Sequence, residues 1–408
     1  MNRRDLLKFA AATSLVGCAS VAPAKGRVVV VGGGFGGATA AKYLRMWDSS
    51  IDVVLVERDA GFVSCPVSNL VLAGYASMQE ISRGHDGLRR RGVQVVRDEV
   101  TAVDAARKTV RLARGADITY ERLIVSPGID FLFGDIEGYD ESVVHAWKAG
   151  PQTLALRRQL EQMPDGGVYV LSIPLAPYRC PPGPYERASM VAAYFKQAKP
   201  RSKVLVLDAN PDVTSKAGLF KAAWKDLYPG IIEYRGGARA VGVDARNKTV
   251  RLEVEDVKGD VLNVVPPHRA GDIAAQAGLV TTNNRWCDVD WRTMESKAVQ
   301  GVHVLGDATL SAPGMPKSAS MANNHAKIAA AAIVELLNGR APQPVKIINT
   351  CYSFVSEKEG IRVSSVHEWD GTTLQPVKGA GGVSAARSEA EGTYAWNWAR
   401  TIWADSLA

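Results

Sequence analysis

Val28 to Val31 are four valines in a row, and they run without a polar break into Gly32-Gly33-Gly34-Phe35-Gly36-Gly37 and then Ala38-Thr39-Ala40-Ala41. Such an unbroken apolar run reads as a strand buried on both faces, and the small residues after it as a helix packed close to that strand. The pattern predicts strand, glycine turn and helix over residues 25–44 and a second strand over 51–57. Short alternating strands follow at 93–96, 109–112 and 123–125. A second α/β unit opens near residue 167, with a strand at 168–173, a helix at 185–198 and a strand at 203–208. A late strand at 302–306 precedes an Ala-rich helix over 319–338, stopped by Gly339. The tail from residue 342 predicts a separate region of short strands, a Gly-rich loop at 379–382 and an aromatic helix. No period of solenoid type is present.

The glycines match G-x-G-x-x-G at Gly32, Gly34 and Gly37, where a tight turn and a helix N-terminus bring backbone N–H groups to a pyrophosphate. Glu57 closes the next strand, where its carboxylate can bind a ribose diol. Arg58 beside it and Val100 are counted with the cofactor-binding positions. Leu123-Ile124-Val125-Ser126-Pro127-Gly128 resembles the strand and turn that return a chain to an FAD domain. Val302 to Asp307 resembles the terminal flavin motif, whose aspartate, Asp307, binds the ribityl or pyrophosphate region. Together they favour FAD over NAD. A helix starting after Lys317 would aim its N-terminus at the flavin N1/O2 edge. In the second unit the loop after residue 173 carries Pro174, Pro177, Pro181, Pro182 and Pro184. Prolines supply no N–H groups, so this unit is expected not to hold a nicotinamide cofactor.

The net charge of +7 includes +2 from Arg3, Arg4, Asp5 and Lys8, and only Arg89, Arg90 and Arg91 form a compact basic cluster. That is too sparse for a nucleic-acid surface. The first 24 residues read as a leader: Arg3-Arg4-Asp5-Leu6-Leu7-Lys8 resembles a twin-arginine signal, and Ala22-Pro23-Ala24 a cleavage site. Leu15-Val16-Gly17-Cys18 also resembles a lipoprotein box, so lipidation of Cys18 is the alternative processing. A periplasmic location is expected, with no spanning helix. Cys18, Cys65, Cys180, Cys287 and Cys351 include no haem-attachment motif and no zinc spacing. Any haem must belong to a partner chain, and no metal site is expected. Three separated cysteines in an exported flavoprotein suggest one structural disulfide and a spare thiol.

Beyond this, the stretches CPPGPYERASM around Cys180, VPPHRAGDIAAQAGL from Val265, MPKSASMANNHAK and NTCYS around Cys351 resemble the flavoprotein subunit of flavocytochrome c sulfide dehydrogenase, and the likeness runs along the whole chain. The resemblance implies an α/β fold with two Rossmann-like dinucleotide domains, the second degenerate, and a C-terminal α+β domain. The expected divisions are a leader at 1–24, FAD domain at 25–150 and 281–340, second domain at 151–280 and C-terminal domain at 341–408. It implies FAD attached through Cys65, a redox disulfide of Cys180 and Cys351 over the flavin, sulfide as substrate and a c-type cytochrome as partner. Hydrosulfide attack on that disulfide would leave a persulfide on one cysteine and a thiolate on the other. Glu186 is a candidate proton acceptor, its alternative being a solvated helix-start carboxylate. Cys287 is expected to be a buried thiol and His325 a packing residue. The tail aromatics either cover the flavin, form an interface or pack as core. Rival readings are a sulfide:quinone oxidoreductase, disfavoured because residues 393–408 carry one cation, Arg400; a type II NADH dehydrogenase, disfavoured by the prolines; and a non-catalytic electron-transfer or assembly protein.

Overall fold

The computed structural model describes residues 25–140 and 142–408; the expected leader, with its twin arginine and Cys18, lies outside them. The valine run forms the centre of a seven-stranded sheet. Arg27–Val31 pairs in parallel with Asp52–Glu57 on one side and Arg122–Val125 on the other. Gln94–Arg97 and Val302–Val304 extend this parallel set, and the antiparallel strands Val289–Asp290 and Glu295–Ser296 close one edge. Val28, Val29 and Val30 are fully buried, as an unbroken apolar strand requires. Val302–Val304 joins Arg122–Val125 only after the whole second unit has intervened, so the first sheet is completed by a late return of the chain.

That second unit is a four-stranded parallel sheet with Val168–Ile173 between Lys203–Asp208 and Val261–Val264, and Ile232–Gly236 outermost. A short antiparallel pair, Ile129–Phe131 with His268–Ala270, ties the two sheets together. The helix expected at 185 begins earlier, spanning Gly183–Ala198. Pro184 fits its first turn because N–H groups there have no intrahelical acceptor.

The tail is an antiparallel sheet of Lys346–Phe354, Gly360–Trp369 and Leu374–Val383, followed by the helix Glu389–Leu407. One expectation is corrected here. Residues 379–382 are not a loop but part of the third strand, where a Cβ on Gly381 would stand 2.4 Å from the Ser364 carbonyl. Glycine at that position lets two strands approach closely. The tail packs against the first unit. Its helix lies along Phe35–Trp47, where Tyr43 donates to Asp405 at 2.6 Å, Thr39 to Ser406 at 2.9 Å and Asn323 to Asp405 at 2.7 Å. Lys327 completes this cluster with an ion pair to Asp405 at 2.8 Å.

Candidate active site

The glycine turn is built by contact. A Cβ on Gly37 would stand 1.9 Å from the Gly32 carbonyl, so only glycine lets the helix Phe35–Trp47 start this close to its strand. The Gly33 N–H donates to Glu57 at 2.5 Å and the Gly33 carbonyl bonds His85 Nε2 at 2.8 Å, so strand end and turn are held together. Gly34 faces open space, with no atom within 4 Å of a Cβ built on it. It opens into a cavity of about 260 Å³ that Ser126, Gly128, Gly306 and Asp307 also line. Pro127 lies behind this wall, against Gly271.

Asp307 Oδ1 is buried without a partner, and burial pushes this carboxyl up while Arg179 and Lys317 oppose the shift. An orphaned buried acceptor beside an open glycine turn is what a polar ligand would complete. Gly306 donates its N–H to His325 Nδ1 at 3.2 Å, and burial holds that imidazole down to about 3, neutral and able to accept. His325 therefore pins the Asp307 turn to the long helix Ala319–Leu337. Ser318 caps that helix by accepting from the Met321 N–H at 3.1 Å, and Ser318, Ala319 and Ala322 line the cavity. The helix N-terminus thus meets the cavity, a favourable place for developing negative charge. These features fit an FAD.

Three expected cofactor positions, Lys317, Arg58 and Val100, are not among the residues lining this cavity. Lys317 stands behind the wall, its ammonium donated to the Asp307 and Thr309 carbonyls and set 3.7 Å over the Trp286 ring. Arg58 is exposed and pairs with Glu99 at 3.3 Å. Val100 is buried in an accessory sheet opposite Leu112. Glu57, like Arg58 and Val100, does not line this cavity.

Cys65, Cys180 and Cys351 all line the same cavity, and all are unbonded thiols in this structure. Cys180 lies within the proline loop with φ +57° and donates its N–H to the Lys317 carbonyl at 2.8 Å. Ala176 and Arg179 donate theirs to Asn210 and His268. Three N–H groups of the loop are therefore spent inside the protein. Burial raises the Cys180 thiol, with the charges of Cys351 and Glu186 adding to it. Cys351 lies on Lys346–Phe354 and donates to Asn349 Oδ1 at 3.4 Å; burial raises it as well, but Lys216, Ser318 and Asn349 counteract.

Glu186 is buried, which overturns the solvated-carboxylate alternative. It accepts from the Phe354 N–H and from Asn69 Nδ2, each at 2.8 Å, and burial raises its pKa. Asn69 also accepts from Arg187 Nε at 3.1 Å, linking the acid to a buried guanidinium 4.6 Å from the Trp147 ring. Cys287 is a fully buried thiol, pushed up to about 12 by burial, and it stands outside the cavity. The tail aromatics divide their roles. Trp398 lines the cavity, Trp396 packs on Phe354, Trp403 lies under Arg83 and Tyr394 is exposed. Sequence reading missed Asn69, His85, Arg179, Arg187 and Lys216, because lone polar residues carry no periodic or motif signal. Among the described residues there is no metal-binding cluster, and no helix is long and apolar enough to cross a membrane.

Residues 153–266 match the family described as the central part of the sulfide dehydrogenase [flavocytochrome c] flavoprotein chain, and residues 343–407 match its flavin-binding part. Residues 26–170 match the pyridine nucleotide-disulphide oxidoreductases. A stretch of 45 residues is 69% identical to the sulfide dehydrogenase [flavocytochrome c] flavoprotein chain of Chlorobaculum thiosulfatiphilum, covering 11% of this chain and 94% of that sequence. The mitochondrial sulfide:quinone oxidoreductase of Mus musculus is 25% identical over 312 residues, 69% of this chain and 65% of its own length. In structure, the sulfide:quinone oxidoreductase of Aquifex aeolicus superposes with a TM-score of 0.75 at 18% identity, over 93% of this chain and 91% of that one.

Proposed function

The chain belongs to the family of the flavocytochrome c sulfide dehydrogenase flavoprotein, and on that footing we propose that it oxidises sulfide as the FAD subunit of a periplasmic complex with a c-type cytochrome. The observation that carries this reading is the single cavity walled by the flavin cradle on one side and by Cys180 and Cys351 on the other. Bound FAD supplies a two-electron acceptor that can release electrons singly. Cys65, on the same wall, is the attachment point for a covalent cofactor. Cys180 and Cys351, present here as the dithiol, form the working disulfide when oxidised. Hydrosulfide attacks one sulfur, the S–S bond breaks, and a persulfide and a thiolate result. Glu186, buried on the same cavity, takes up the proton. The haem resides on the partner chain, and the twin-arginine leader exports the folded subunit, with Cys18 as an alternative lipid anchor.

Anaerobic titration with sulfide tests the reading. Flavin absorbance should bleach, and oxidised cytochrome c should restore it while a quinone analogue does not. Acid denaturation should leave the yellow colour on the polypeptide, and on none of it after Cys65→Ser. The second reading, quinone as acceptor, draws support from the Aquifex aeolicus likeness across 93% of this chain. Rapid recovery with the quinone alone would establish it instead.

A further inference from the structure

Among the described residues, Lys216 is the one buried cation whose hydrogen bonds lead to the strand of a cavity cysteine. It precedes the helix Ala217–Leu227 in a left-handed conformation, φ +57°, and is 7% exposed. Its ammonium donates to Ser353 Oγ at 2.8 Å and to the Cys351 carbonyl at 3.4 Å, both neutral, and among the described residues no carboxylate forms an ion pair with it. Alternate residues of a strand share a face, so the Ser353 hydroxyl that holds the ammonium lies on the face that carries the Cys351 sulfur. The loop that delivers Lys216 is anchored to the Cys180 segment. Tyr185 donates to Asp208 at 2.7 Å and accepts from the Thr214 N–H at 3.1 Å, while Tyr178 and Thr214 share a 2.9 Å bond. Around Cys351 there are also the Ser318 hydroxyl, bonded to Asn349 at 2.9 Å, and Asn349 itself. Cys180 is served less well: beyond burial, the other thiol and the acid Glu186 push it up ahead of the opposing charges of Lys216 and Arg179, whereas for Cys351 Lys216 is the largest influence after burial and lowers the thiol.

We propose that Lys216 is the counter-ion of a Cys351 thiolate, so that Cys351 is the sulfur released when the disulfide opens and Cys180 the sulfur that hydrosulfide attacks. This rests on the sulfide-oxidising reading. In balanced form, HS⁻ bonds to Cys180 Sγ as the Sγ–Sγ bond breaks; the bonding pair leaves on Cys351 Sγ, and Cys180 carries –S–SH. The better-stabilised thiolate is the better leaving group. Burial lowers the Lys216 ammonium to about 8, with Cys351 the first of the charges that hold it up, so the cation persists at neutral pH. Lys216 is a positioning residue, acting through the sulfur.

The test uses the full flavin-loaded chain, reduced with dithiothreitol, and follows iodoacetamide alkylation of each cysteine by peptide mass spectrometry against pH. Cys351 should alkylate with a midpoint at least one pH unit below that of Cys180. Lys216→Met should raise the Cys351 midpoint by about one unit, roughly tenfold slower alkylation at pH 7, and move the Cys180 midpoint by less. Lys216→Arg should restore it, and Lys216→Gln should repeat the effect if Lys216→Met loses flavin. Equal midpoints in the wild type, or a Cys351 midpoint indifferent to Lys216→Met and Lys216→Gln, would overturn the proposal. Diamide oxidation separates the underlying reading. Without a Cys180–Cys351 linked peptide the disulfide fails, and the leaving-group assignment with it, whatever the alkylation midpoints show.

Discussion

Lys216 carries a charge into a site that gives it only neutral acceptors, and this has a signed consequence for stability. Its ammonium titrates at about 8 in the fold against 10.5 for the ordinary group. Below pH 8 folded and unfolded chains both hold the proton, and the full cost of burying the cation is present. Between the two values only the unfolded chain holds it, so stability rises with pH; above both the cost is gone. Lys216→Met should therefore raise the unfolding free energy at pH 7 by on the order of 1–3 kcal/mol. The gain should shrink from pH 8 to 10.5. Denaturant melts of both proteins at the two pH values decide it, and a gain independent of pH would count against the buried cation. This is also where sequence reading ran out. Gly32, Gly34, Gly37 and Asp307 stood in motifs, whereas Lys216 lies in a loop whose position is set by Tyr178 and Tyr185, residues distant from it in sequence.

Elements were legible where one physical pattern governs them. The valine strand, the glycine turn and the Ala-rich helix appear as their periodicity predicts, because burial on each is continuous. Glycines at 379–382 misled, since the same residue serves a loop and a close strand contact, and only pairing with Ser364 distinguishes them. The expectation that the proline loop holds no nicotinamide rests on its few donors, and the N–H groups of Ala176, Arg179 and Cys180 bond internal acceptors. NADH or NADPH added anaerobically should leave the flavin oxidised over minutes, while sulfide reduces it. Stopped-flow spectra with each donor make the comparison, and rapid bleaching by NADH would show that a nucleotide finds donors elsewhere.

At the scale of the molecule, the cavity is no property of either sheet. Its walls come from the first turn, the proline loop, the start of the long helix, the tail strand and the terminal helix. The cluster around Asp405 holds that last piece in place. Asp405→Ala would leave Tyr43 and Lys327 without this acceptor and Asn323 with only Thr39 and Ser406, a loss on the order of 1–3 kcal/mol in all. Hydrogen exchange should quicken across Glu389–Leu407, and in a Cys65→Ser background flavin should leave faster. Unchanged exchange would mean that the apolar contacts of Ala399, Ile402 and Trp403 suffice.

The order in which the ribosome makes these walls also matters. Gly34 and Cys65 emerge first, and Ala395, Trp398 and Ala399, on the terminal helix, emerge after every other wall of the cavity. Until that helix docks, a nascent chain presents its cradle with one side open. Cofactor loading is thus easiest before this helix docks on the other walls.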